Sequence, residues 1–119
     1  MNTDLLTTGN YVLVNGKAVK VESVSEDGIY YNGNFAHLND VEPVFITEEF
    51  LGKNEFEKYG EHYGMIWCEN YCVLATKIKY NLWKIHIQGD NANMDGGVTC
   101  VHELQNAMKI CGIKKKIEV

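Results

Sequence analysis

The 119-residue chain is expected to be an α+β, β-rich protein: an N-terminal SH3-like small β-barrel, then an antiparallel β-meander with a closing C-terminal helix. Three observations predict this. Between residues 8 and 35, three turn signals (Asn15-Gly16, Glu26-Asp27-Gly28 and Asn32-Gly33) separate four short β-rich runs. Asn-Gly is a strong hairpin signal, because a type I′ turn needs φ > 0 at both central residues. Further on, Trp83, Ile85 and Ile87 alternate with Lys84, His86 and Gln88, the period of a sheet with one wet face. Leu104, Ala107, Met108 and Cys111 then recur at i, i+3, i+4, i+7, which makes one apolar stripe on a helix.

Taken in order, residues 1–7 are a loose lead-in containing Leu5-Leu6. Strands are predicted over 10–14, 18–24, 29–31 and 34–36, with Val12 and Val14, and Val19 and Val21, each sharing a face. A single helical turn over 37–40 precedes an extended run over 41–46. Pro43 makes that run an edge strand, since proline has no N–H to give a ladder. Five short strands with a helical turn before the last is the plan of an SH3-like barrel.

A short helix begins at Thr47, the N-cap, with Glu48 and Glu49 set against the positive helix end. Ile46 and Leu51 are placed as a hydrophobic staple, and Gly52 ends the helix early. Phe56 then docks back onto the core. Residues 59–64 read as a polar loop, followed by strands over 65–68, 71–79 and 82–88 with turns at Glu69-Asn70 and Tyr80-Asn81. The run 89–97, Gly-Asp-Asn-Ala-Asn-Met-Asp-Gly-Gly, is a loop of turn formers, and 98–101 a short strand. The last helix spans 102–111, with Gly112 at C′. The chain thus divides into a lobe over 8–46 and a lobe over 47–119, joined in one compact unit.

Net charge is −5 and every basic residue is lysine. Without arginine the chain lacks the forks that read guanine and clamp phosphate, so nucleic acid is a disfavoured partner. No apolar run approaches the ~20 residues that span a bilayer. Met1-Asn2-Thr3-Asp4 has neither the basic start nor the apolar stretch of a signal peptide, so a cytoplasmic location is expected. Cys68, Cys72, Cys100 and Cys111 are then expected to be free thiols.

Certain segments carry a resemblance: Thr47-Glu48-Glu49-Phe50-Leu51, Val101-His102-Glu103-Leu104-Gln105-Asn106, Gly9-Asn10-Tyr11-Val12 and Glu42-Pro43. Through them the chain resembles a family of small uncharacterised proteins carried by phages and mobile elements of gut Bacteroidetes. The resemblance covers most of the chain, with residues 52–99 matching only in pattern. It implies a phage or prophage setting and brings no activity with it.

Candidate chemistry is sparse. Cys68, Cys72, Cys100 and His102 can be sketched as a Cys₃His zinc set, but their spacing fits no standard finger, and buried thiols are the expectation. His62, His86, His102 and Glu103 are the candidates for acid–base work. No nucleophile elbow, phosphate-binding loop or paired metal histidines accompany them. No catalytic residue, metal or cofactor is therefore assigned.

The aromatic residues Tyr11, Tyr30, Tyr31 and Phe35 either line a peptide-gripping groove or fill a small core. His102, Gln105 and Asn106, on the polar side of the last helix, either touch a partner or bridge helix to sheet. The expected function is a non-enzymatic binding module, an adaptor or inhibitor of a host protein. Two alternatives stand beside it. A nucleic-acid-associated small barrel would gather Lys17, Lys20, Lys77, Lys79 and Lys84 on one face. A small-molecule or nucleotide sequestering protein would need a deep pocket between the lobes.

Overall fold

The computed structural model describes residues 6–67 and 71–119. Leu5, Cys68 and the turn expected at Glu69-Asn70 lie outside them. Among the described residues, eleven strands form three antiparallel sheets of three, three and five strands, and two α-helices accompany them.

The first sheet has the order β2-β1-β6, built from β1 (Tyr11–Val14), β2 (Lys17–Lys20) and β6 (Val41–Pro43). The second has the order β3-β4-β5, from β3 (Ser23–Val24), β4 (Gly28–Tyr31) and β5 (Asn34–His37). A 3₁₀ turn, Leu38–Asp40, leads from β5 into β6. Both Asn-Gly turns form as their chemistry requires, with φ of 53° and 75° at Asn15 and Gly16 and 46° and 76° at Asn32 and Gly33.

The SH3-like barrel expected from the sequence is not formed. The single strand expected over 18–24 changes partners halfway. The Val21 N–H donates to Asn10 O at 2.8 Å, and the Glu22 N–H donates to Tyr30 O at 2.8 Å in the other sheet. At the far end β6 pairs only with β1 and β5 only with β4, so no ladder closes the two sheets into one. They pack instead as open layers around a core of Leu6, Val12, Val14, Val19, Val21, Ile29, Ala36 and Val41. Gly28 is not a turn residue either. It lies within β4 against the Ala36 carbonyl, where an added Cβ would come within 1.9 Å of the oxygen.

The third sheet is a meander in the order β11-β10-β9-β8-β7: β7 (Glu57–Tyr59), β8 (His62–Trp67), β9 (Tyr71–Lys79), β10 (Leu82–Gln88) and β11 (Asn93–Val98). Two segments expected to be loops are partly strand here. Glu57–Tyr59 and His62–Trp67 pair around a turn at Gly60, and Asn93–Val98 pairs with β10 from Gln88 to Trp83. Polar and glycine residues suit β11 because it is an edge, where one ladder is satisfied and the other side faces water.

The inner face of this sheet, with Met65, Val73, Trp83, Ile85 and Ile87, packs against α1 (Glu48–Lys53) and α2 (Val101–Ile110). Thr47 caps α1, its Oγ1 accepting from Phe50 N at 3.0 Å, and the staple residues Ile46 and Leu51 are both buried. The helix runs past Gly52 to Lys53. The buried Trp83 indole N–H donates to Ile46 O at 3.1 Å.

Helix α2 buries Val101, His102, Leu104, Ala107 and Met108. It ends in a Schellman motif. Gly112, at φ 83°, donates to Lys109 O, and Ile113 N donates to Met108 O at 2.9 Å. The tail beyond is docked: Ile113 and Ile117 are buried, and the Asn54 side chain clamps Glu118, donating to its carbonyl at 2.7 Å and accepting from its N–H at 2.8 Å. Among the described residues no helix is long and apolar enough to cross a membrane.

Candidate functional site

The outer face of the β3-β4-β5 sheet exposes a group of aromatic rings. Strand alternation sends Ile29 and Ala36 into the core and turns Tyr30, Phe35 and His37 outward. Tyr30 and Phe35 are direct cross-strand partners with ring centroids 4.9 Å apart. His37 meets Phe35 edge-on at 5.0 Å. Tyr30 remains 47% exposed and Phe35 38%. The three rings form a ladder across two strands. Glu22 stands beside it, its N–H bonded to Tyr30 O, and its carboxylate accepts from Gly33 N at 3.3 Å.

The other aromatic candidates lie elsewhere. Tyr31 alternates to the inner face and packs against the N-terminal core. Tyr11 is half-buried against the main core, with the Lys20 ammonium 5.8 Å from its ring centroid. Of the four aromatics, two face outward and two inward, as the pleat dictates. His37 was missed as a ring partner because its neighbours read as a helical turn. Its i+2 spacing from Phe35 was the available signal.

Gln105 and Asn106 are joined to the N-terminal lobe. Gln105 Oε1 accepts from Tyr11 N at 2.9 Å while its Nε2 donates to Gly9 O at 3.1 Å, so one side chain pairs with the start of β1 much as a neighbouring strand would. Asn106 Oδ1 accepts from Asn10 Nδ2 at 2.9 Å and from Thr7 Oγ1 at 3.1 Å. Asn10 is itself buried, and its Oδ1 accepts from Thr7 N at 2.8 Å.

At the start of α2, Thr99, Cys100, His102 and Glu103 form a compact cluster. Glu103 Oε1 accepts from Thr99 N at 3.0 Å, Thr99 Oγ1 at 2.9 Å, Cys100 N at 3.2 Å and Cys100 Sγ at 2.9 Å. Burial pushes Glu103 up, but these hydrogen bonds outweigh it and hold the carboxyl below its usual value. Burial, reinforced by the hydrogen bond to Glu103, pushes the Cys100 thiol up to about 12. His102 Nε2 lies 3.7 Å from Cys100 Sγ, and its Nδ1 is buried without a hydrogen-bond partner. A cysteine nucleophile needs its thiolate, and here the geometry favours the neutral thiol. The cluster's evident work is to cap the helix.

His62 and His86 lie on the outer face of the meander. His62 Nδ1 is 2.6 Å from Thr76 Oγ1, and His86 Nδ1 is 2.6 Å from Asp95 Oδ1. Cys72 stands on β9, far in sequence from Cys100, and Cys72, Cys100 and Cys111 are free thiols. Among the described residues, no three His, Cys, Asp or Glu side chains are grouped as metal ligands would be. Lys17 and Lys20 belong to one sheet, and Lys77, Lys79 and Lys84 to β9 and β10 of another. No known protein family, curated protein or solved structure matches the chain.

Proposed function

We propose that the protein is a non-enzymatic, cytoplasmic binding module of a phage or mobile element, which engages a host protein through the outer face of the β3-β4-β5 sheet. The observation that carries this reading is the Tyr30–Phe35–His37 ladder. Large rings held in register by a sheet lose little conformational entropy on binding, and such side chains supply much of the energy of protein interfaces. The carboxylate of Glu22 at the margin favours a partner surface that is apolar with a basic rim. The phage or mobile-element setting is carried over from the sequence resemblance alone.

The test is a Tyr30→Ala, Phe35→Ala double variant, compared with wild type as immobilised bait in host lysate. Both rings are largely outside the core, so the variant should fold, losing about 0.5–1.5 kcal/mol for the ring pair. A host protein retained by wild type should be lost from the variant. Equal retention by both chains would refute the assignment of this face.

A further inference from the structure

A second feature, independent of the aromatic face, is a cleft of about 260 Å³ between the chain before β1, the last turns of α2 and the docked tail. Five of the eleven lysines line it: Lys20, Lys109, Lys114, Lys115 and Lys116. Among the described residues, no acidic side chain lines it. In a chain of net charge −5 this is a strong segregation of charge.

The lysine run looks like a solvated tail in the sequence, but the structure holds it in place. Ile113 and Ile117 are buried on either side, and Asn54 clamps the backbone at Glu118. Lys115 is paired with Glu55 at 3.0 Å, while Lys20, Lys109, Lys114 and Lys116 are exposed around the cleft. Its floor is equally fixed, because Gln105 and Asn106 are hydrogen-bonded to Gly9, Asn10 and Tyr11. The side chains of Thr7 and Thr8 add hydroxyl groups to the lining.

We propose that this cleft binds a small, multiply charged oxyanion, the phosphoryl part of a soluble phosphorylated molecule. Ammonium groups gathered around one concavity repel one another, and an anion among them converts that repulsion into attraction. Lysine acts here as a point charge, which suits a phosphate group without needing the bidentate geometry of arginine. The volume suits a phosphate or pyrophosphate group.

The probe is inorganic pyrophosphate, titrated into the full chain by calorimetry with a thermal melt alongside. Saturable binding of one pyrophosphate per chain is expected, weakening as salt is raised and accompanied by a higher melting temperature. A Lys114→Gln, Lys116→Gln variant should bind roughly tenfold or more weakly, while Lys77→Gln, Lys79→Gln, on the distant meander, should bind like wild type. The lysines replaced are exposed, so both variants should fold. Absence of saturable binding, or equal binding by the Lys114/Lys116 variant and wild type, would overturn the proposal. So would retention on duplex DNA or on anionic lipid vesicles without any response to pyrophosphate, since the lysines would then form an open surface.

Discussion

At the scale of single residues, His102 is the most sensitive reporter. Only 4% of it is exposed, and burial pushes its pKa below the ordinary value, against an opposing pull from Glu103. An unfolded imidazole titrates near ~6.5. As the pH falls through that value, the unfolded chain takes up a proton that the folded chain resists. Stability is therefore full above about pH 6.5 and lost progressively below it, down to the folded pKa. Denaturation midpoints measured between about pH 7.5 and 5 should fall in wild type and stay flatter in His102→Leu. Parallel curves would show that His102 is not held neutral. Glu103, with its pKa held low, contributes in a lower window, below the ~4.3 of an ordinary glutamate, so the two effects separate. Cys100, its thiol pushed up to about 12, should react slowly with iodoacetamide in the native state and rapidly once unfolded. Equal rates in both states would contradict its burial.

At the scale of elements, α2 is the joint of the molecule. Leu104 is fully buried against the sheet bearing Trp83, Ile85 and Ile87, so Leu104→Ala should cost ~2–5 kcal/mol. A melting temperature lowered by roughly 10 °C is the expected reading, and a wild-type melt would mean the helix is not docked there. Gln105→Ala with Asn106→Ala strips the hydrogen bonds to Gly9, Asn10 and Tyr11 and leaves Asn10 buried with fewer partners. That variant should lose about 1–3 kcal/mol, with amide exchange rising most around β1. No change in β1 exchange would deny the bridge. These elements show where sequence was readable. Asn15-Gly16, Asn32-Gly33, the cap at Thr47 and the stripe from Leu104 to Cys111 are set by local chemistry, and local chemistry is what a sequence displays. The handover at Val21-Glu22 was not readable, because which sheet an N–H chooses depends on tertiary pairing. Nor was β11, whose glycines and Asp95 look like loop until an edge position explains them. In the same way, Tyr30 was separable from Tyr31 only once the pleat was fixed, and the bridging role of Gln105 needed the start of β1 beside it.

At the scale of the whole molecule, two hydrophobic cores of the described residues, one per group of sheets, are joined through α2, and two surface features carry the proposed binding. One is the aromatic ladder and the other the lysine-lined cleft. With net charge −5 and no arginine, the chain should bind generic duplex DNA no tighter than the ~10⁻⁴–10⁻⁶ M non-specific range at physiological salt. A submicromolar, steeply salt-dependent anisotropy shift would reverse that view. We propose that the outer face of the β3-β4-β5 sheet meets a host protein. The most direct test of this claim places a photo-crosslinking p-benzoylphenylalanine at Phe35 in one chain and at Tyr80, 85% exposed on the β9–β10 turn, in another. Irradiation in host cells should give a discrete adduct with a host protein from the Phe35 position and none from the Tyr80 position. The same adduct from both positions, or none from Phe35, would contradict the claim.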